Sequence, residues 1–140
     1  MTNFKFIRDK LEQIKLYYQE LEQLFQYSLE DIRKDFMKYR SAERILQLIV
    51  DEMLDINNHL ISRLNLASPD DFQSTFKILA ENNILPEQFA EKIAPVVGLR
   101  NRLVHRYEKI DLGLALKHMQ KEKEDFREYV KLIEKYLSKK

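Results

Sequence analysis

The 140-residue chain carries 24 Lys and Arg against 23 Asp and Glu, with 44% hydrophobic and 34% charged residues, a balance that excludes both intrinsic disorder and a membrane-embedded class. A formal net charge of +1 excludes strong global attraction to nucleic acid, so any RNA contact has to come from a local patch. Cys is absent, which excludes a disulfide framework and thiolate chemistry. The first residues (Thr2, Asn3, Lys5, Arg8, Asp9) are polar and charged, with no signal-peptide pattern. No apolar run approaches the length of a membrane span. These features fit a cytoplasmic protein, and the length fits one domain over 1–140.

With 2 Gly and 3 Pro and no period-2 alternation, the elements read as helices throughout. Phe4, Ile7, Leu11, Ile14, Tyr18, Leu21 and Phe25 step by alternating three and four. That is the seam of a helix packed lengthwise along a partner. Ser28 with Asp31 three residues on predicts a capped short helix, with Leu29, Ile32 and Phe36 as its apolar face. A long helix is predicted over 41–64. Its apolar arc (Ile45, Leu46, Ile49, Val50, Met53, Leu54, Ile56, Leu60, Ile61, Leu64) is wide enough to bury most of its circumference. Ser68-Pro69-Asp70-Asp71 reads as the next helix start, ending near Asn82 and Asn83. Pro86 opens another helix. Pro95 interrupts that one, because a mid-helix proline clashes with the preceding turn. The last helix spans 112–137, with Leu112, Leu116, Met119, Phe126, Val130, Ile133 and Leu137 inward. The expected fold is all-α: an antiparallel bundle of about five helices, kinked at Pro95.

One stretch concentrates chemistry: Gly98, Leu99, Arg100, Asn101, Arg102, Leu103, Val104, His105, Arg106 and Tyr107. Arg100 offers a permanently charged fork of donors suited to phosphate. His105 offers an imidazole, the side-chain type that can take and return a proton. Positions five apart on a straight helix lie about 140° apart, so Arg100 and His105 do not share a face. Their convergence requires Arg100 to wrap round, the helix to end after His105 so that Tyr107 swings back, or a second copy of the segment to face the first. Arg102 and Arg106, four apart, form a cationic strip for phosphate. Gly98 leaves room for another backbone to approach. Taken without context, an Arg and a His near a helix end also fit a solvated terminus.

A rival constellation lies on the long helix. Asp51, Asp55 and His59 are spaced by four and share a stripe, as divalent metal ligands do in bundles. Arg44, Asn58 and Ser62 lie near the same stripe, which equally suits a polar seam pairing across helices. His59 and His118 each read as surface or packing residues, and the basic tail (Lys135, Lys139, Lys140) as a solvated helix end. Tyr17, Tyr18, Phe25 and Phe36 sit at helical spacing and read as core. There is no phosphate-binding Gly loop, nucleophile elbow or zinc-finger spacing.

The string Arg100-x-x-x-x-His105-x-Tyr107, with Asn101 directly after the Arg, resembles the signature of the HEPN superfamily, and more narrowly that of HepT-like toxins. The similarity extends to Ser41-Ala42-Glu43-Arg44-Ile45-Leu46-Gln47, to Asp51 and Asp55, to Ser68-Pro69-Asp70-Asp71-Phe72, to Leu79-Ala80-Glu81-Asn82 and to Val97-Gly98-Leu99. The resemblance implies an all-α homodimer whose two motifs face one cleft, acting as a metal-independent endoribonuclease toxin without a cofactor. RNA, with tRNA as a target class, is the implied substrate. Arg100 and His105 are the implied catalytic pair, Asn101 a supporting residue, and Arg102 and Arg106 substrate contacts. It further implies an MNT-type nucleotidyltransferase antitoxin that silences the toxin by adding AMP to Tyr107. The alternative is a non-catalytic nucleotide- or substrate-binding helical subunit of a nucleotidyltransferase complex.

Overall fold

The computed structural model describes residues 4–105 and 111–140, and these contain seven helical segments and no strand. Helix α1 (Lys5–Leu24) buries Ile7, Leu11, Ile14, Tyr18 and Leu21, the seam read from the sequence. Its partner is α3 (Phe36–Arg63). Phe6 stacks on His59 and Lys10 reaches Glu52 and Asp55, so the two helices run antiparallel. Helix α7 (Leu112–Ser138) closes the other side of α1. There Lys15 meets Glu134 and Tyr18 meets Glu124, again antiparallel.

Between α1 and α3 lies α2 (Leu29–Lys34). The Asp31 N–H donates to Ser28 Oγ at 3.1 Å. Acids in its first turn and bases in its last complement the helix dipole. The long helix then begins at Phe36, five residues before the expected Ser41. Asp35 ends α2 and caps α3, accepting the Met37 N–H at 3.0 Å. Phe36 thereby becomes the first residue of α3 and stays exposed, not part of the α2 apolar face. Ten α3 residues are buried, as its wide apolar arc requires, and this helix is the central rod of the bundle.

Helix α4 (Ser74–Glu81) starts later than the Ser68-Pro69 signal suggests. The chain needs the intervening loop to cross from the end of α3. Asp71 supplies the cap, accepting the Ser74 N–H at 2.7 Å. Asn65 and Asn83 adopt φ of 53° and 62° just beyond α3 and α4. Asn tolerates this left-handed conformation at helix exits. Pro86 precedes α5 (Glu87–Ile93), and Pro95 separates it from α6 (Val96–His105). Across the break, Gly98 N–H bonds Pro95 O at 3.0 Å, a tightened turn where proline has no N–H to give. If α5 and α6 are counted as two limbs of one kinked helix and α2 as a connector, five rods remain. No helix among the described residues is long and apolar enough to cross a membrane.

A buried polar chain ties three helices together. The Tyr129 hydroxyl donates to Asn57 Oδ1 at 2.6 Å, and the Met53 carbonyl lies 3.2 Å away. Asn57 Nδ2 donates to Thr75 Oγ1 at 3.0 Å, and Thr75 Oγ1 donates to Phe72 O at 2.7 Å. Tyr129, Asn57 and Thr75 are fully buried, so each lost partner leaves a desolvated group. Tyr129→Phe is expected to lower unfolding free energy by about 1–3 kcal/mol, read as a lower urea midpoint with an unchanged slope.

Candidate functional site

Val96, Val97, Leu99 and Leu103 anchor α6 in the core. That fixes what its other arc presents. Asn101, Arg102, Val104 and His105 are exposed, and Arg100 is half-buried. The helix is continuous through His105, so Arg100 and His105 occupy positions about 140° apart.

Arg100 does wrap round, but toward α3 and not toward His105. Its Nε donates to Asp51 Oδ1 at 3.1 Å, and its Nη2 lies 2.9 Å from the same oxygen as an ion pair. Its Nη1 donates to Asn101 Oδ1 at 3.2 Å. The guanidinium is therefore gripped from two helices. The ion pair is a partly solvated one, with side chains 21% and 36% exposed, so it fixes geometry more than it adds stability. His105 is the last described residue of α6. Arg106 and Tyr107 lie outside the described residues.

Asp51, Asp55 and His59 do not converge. Asp51 points to α6 and pairs with Arg100. Asp55 pairs with Lys10 of α1 at 2.9 Å. The Asp55 hydrogen bond is the largest influence holding the Lys10 ammonium above its ordinary pKa. Among the described residues no group of three His, Cys, Asp or Glu is placed to hold a metal ion. The polar-seam alternative describes this stripe. What sequence reasoning missed is that one end of the seam holds Arg100. The signal was there, in an acid four residues from another on a half-buried helix face, but it named no partner.

His59 stacks on Phe6 with centroids 4.5 Å apart. Its Nε2 is buried and takes no hydrogen bond among the described residues. Burial, and secondarily the Arg63 charge, push its pKa below 6.5. The unfolded chain therefore binds this proton more readily than the folded one. Stability is expected to be full above about pH 6.5 and to fall as pH drops toward the folded value. The slope of melting temperature against pH between 7 and 5 should flatten in His59→Phe.

Among the described residues no backbone comes close to Gly98. A Cβ there would meet Arg102 Nη1 at 3.6 Å, an ordinary contact. Arg102 thus lies back along its own helix. Gly98→Ala is expected to raise stability by about 0.5–1 kcal/mol through helix propensity, measured by thermal unfolding.

Comparison with known proteins places this geometry. The family described as HepT-like, "Ribonuclease HepT-like", matches residues 14–133. A tRNA nuclease HepT of Aphanizomenon flos-aquae is 35% identical over 139 residues, covering 98% of this chain and 95% of the relative. An mRNA nuclease HepT of Shewanella oneidensis is 28% identical over 127 residues, covering 91% and 95%. Among solved structures, the tri-AMPylated Shewanella oneidensis HEPN toxin in complex with MNT antitoxin superposes with a TM-score of 0.86 at 27% identity, over 95% of this chain and 98% of that one. A MntA–HpeT toxin–antitoxin complex with a Tyr-to-Ala substitution gives a TM-score of 0.84 at 26% identity, over 93% and 98%. The match spans nearly the whole chain, with the helix that carries Arg100 and His105 inside it: the chain belongs to the HepT-like ribonuclease family of HEPN proteins.

Proposed function

We propose that this chain is the ribonuclease toxin of a toxin–antitoxin pair, cleaving RNA without a metal ion through Arg100 and His105. One observation carries the reading. Arg100 is held as a fixed fork on α6, and the same helix presents His105 at its exposed end. The 35% identical relative is a tRNA nuclease, which supports tRNA as the substrate class.

In this reading Arg100 binds the scissile phosphate and stabilises charge on its non-bridging oxygens. The ribose 2′-hydroxyl loses its proton to an imidazole and attacks phosphorus. The new 2′-O–P bond forms as the P–O5′ bond breaks, and an imidazolium returns a proton to the leaving 5′ oxygen. The products carry a 2′,3′-cyclic phosphate and a 5′-hydroxyl. Because Arg100 and His105 diverge on one helix, a homodimer pairs Arg100 of one protomer with His105 of its partner. Val104, an apolar residue 37% exposed between them, suits such a symmetric contact. Asn101 supports Arg100, while Arg102 and Arg106 attract the RNA backbone. The chain folds as one domain over 1–140 and works in the cytoplasm.

Regulation follows from Tyr107, two residues after His105. AMP transferred there from ATP by an MNT-type antitoxin, the tyrosine oxygen bonding the α-phosphorus as pyrophosphate leaves and the phenol proton passing to solvent, brings phosphate charge to the arginines and a base into the cleft. The solved relative in complex with MNT antitoxin is tri-AMPylated, which supports this route.

Arg100→Ala is expected to lower kcat by about 10²–10³-fold and His105→Ala by about 10²–10⁴-fold, with EDTA leaving the wild-type rate unchanged. The assay is cleavage of purified tRNA, with mapping of the cyclic phosphate end. Wild-type rates in both variants would sink the mechanism. Co-expression with the transferase is expected to add AMP mass to the wild type and none to Tyr107→Phe.

A further inference from the structure

We infer that Asp51, on α3, is a positioning residue for the reaction proposed above: it sets the direction in which Arg100 presents its donors to the phosphate. The inference rests on that reading of Arg100. Arginine has five N–H groups. Asp51 takes the Nε–H and lies 2.9 Å from Nη2 as its ion-pair partner, and Asn101 takes one N–H from Nη1. The N–H groups that remain are on the terminal nitrogens, and a bidentate phosphate contact uses two. The Nε edge is closed by Asp51, so phosphate is met by the terminal nitrogens.

Position makes this grip necessary. Arg100 is a flexible side chain whose other polar contact among the described residues, Asn101, is its own neighbour in sequence and exposed on the same helix. Asp51 lies on the central rod, where Val50 and Met53 beside it are fully buried. Its backbone therefore cannot drift. The neighbouring acids are committed elsewhere, since Lys10 binds both Glu52 and Asp55. Asp51 is the acid of this stripe that is paired across to α6.

The contact has a detail that separates geometry from charge. Both Arg100 contacts, the Nε hydrogen bond and the Nη2 ion pair, meet one oxygen, Oδ1. An amide oxygen can accept the same Nε–H. An Asn at this position can thus keep the grip after the charge is gone.

The experiment is steady-state cleavage of an RNA substrate by the full-length protein, with thermal unfolding of every variant. Asp51→Ala is expected to lower kcat by about 10–100-fold, as loss of a partner that orients an active group does, while KM changes by less than about 3-fold. The melting temperature should stay within a few degrees. Asp51→Asn is expected to recover kcat to within about 5-fold of wild type. A wild-type kcat in Asp51→Ala overturns the inference, and so does a loss in Asp51→Asn as deep as in Asp51→Ala. If Asp51→Ala does not fold, Asp51→Glu decides. It keeps the charge but moves the carboxylate by one methylene, so a wild-type kcat there overturns a positional role and a fall supports it. Arg100→Ala runs beside these variants. Activity surviving in Arg100→Ala defeats the proposed mechanism itself, whereas its loss together with a fully active Asp51→Ala defeats the inference about Asp51 alone.

Discussion

Burial of α3 along most of its circumference is the constraint from which the rest of the structure follows. Its apolar arc meets α1, α2, α4, α6 and α7, and most of its polar side chains are left to the opposite side. There Asp51, Glu52 and Asp55 are each answered from a neighbouring helix. These acids align α1 through Lys10 and fix Arg100 on α6. A hydrophobic requirement thereby sets the geometry of a charged group.

The kink at Pro95 serves the same end. It divides the apolar stripe into two limbs, with Phe89 and Ile93 buried on α5 and Leu99 and Leu103 buried on α6. Arg100 then falls at the margin of the buried face, close enough to α3 to pair and open enough to meet a ligand. Arg100 and His105, which the proposed mechanism combines, are thus separated by helix geometry.

Much of this was legible in the residues. The α1 seam from Phe4 to Leu21, the Ser28 cap, the break at Pro95 and the inward face of α7 all rest on periodicity or local backbone chemistry, which sequence expresses directly. The misplacements were at junctions. Phe36 reads as apolar face of a short helix, yet Asp35 starts a new helix and leaves it in solvent. Ser68 reads as a cap, yet the chain must first cross from α3, and Asp71 does the capping. Both errors arise because a cap is chosen by where the chain has to go as well as by residue type.

The site divides along the same line. Sequence by itself determined that Arg100, Asn101, His105 and Tyr107 belong to one segment and that Arg100 and His105 cannot share a helix face, because 3.6 residues per turn fixes that angle. It also marked Asp51 as an acid needing a partner. Only the tertiary structure decided who that partner is. Asp51 and Arg100 are 49 positions apart, and no local rule connects them. They meet because the hydrophobic faces of α3 and α6 must be buried against each other, and that burial carries the carboxylate and the guanidinium into contact.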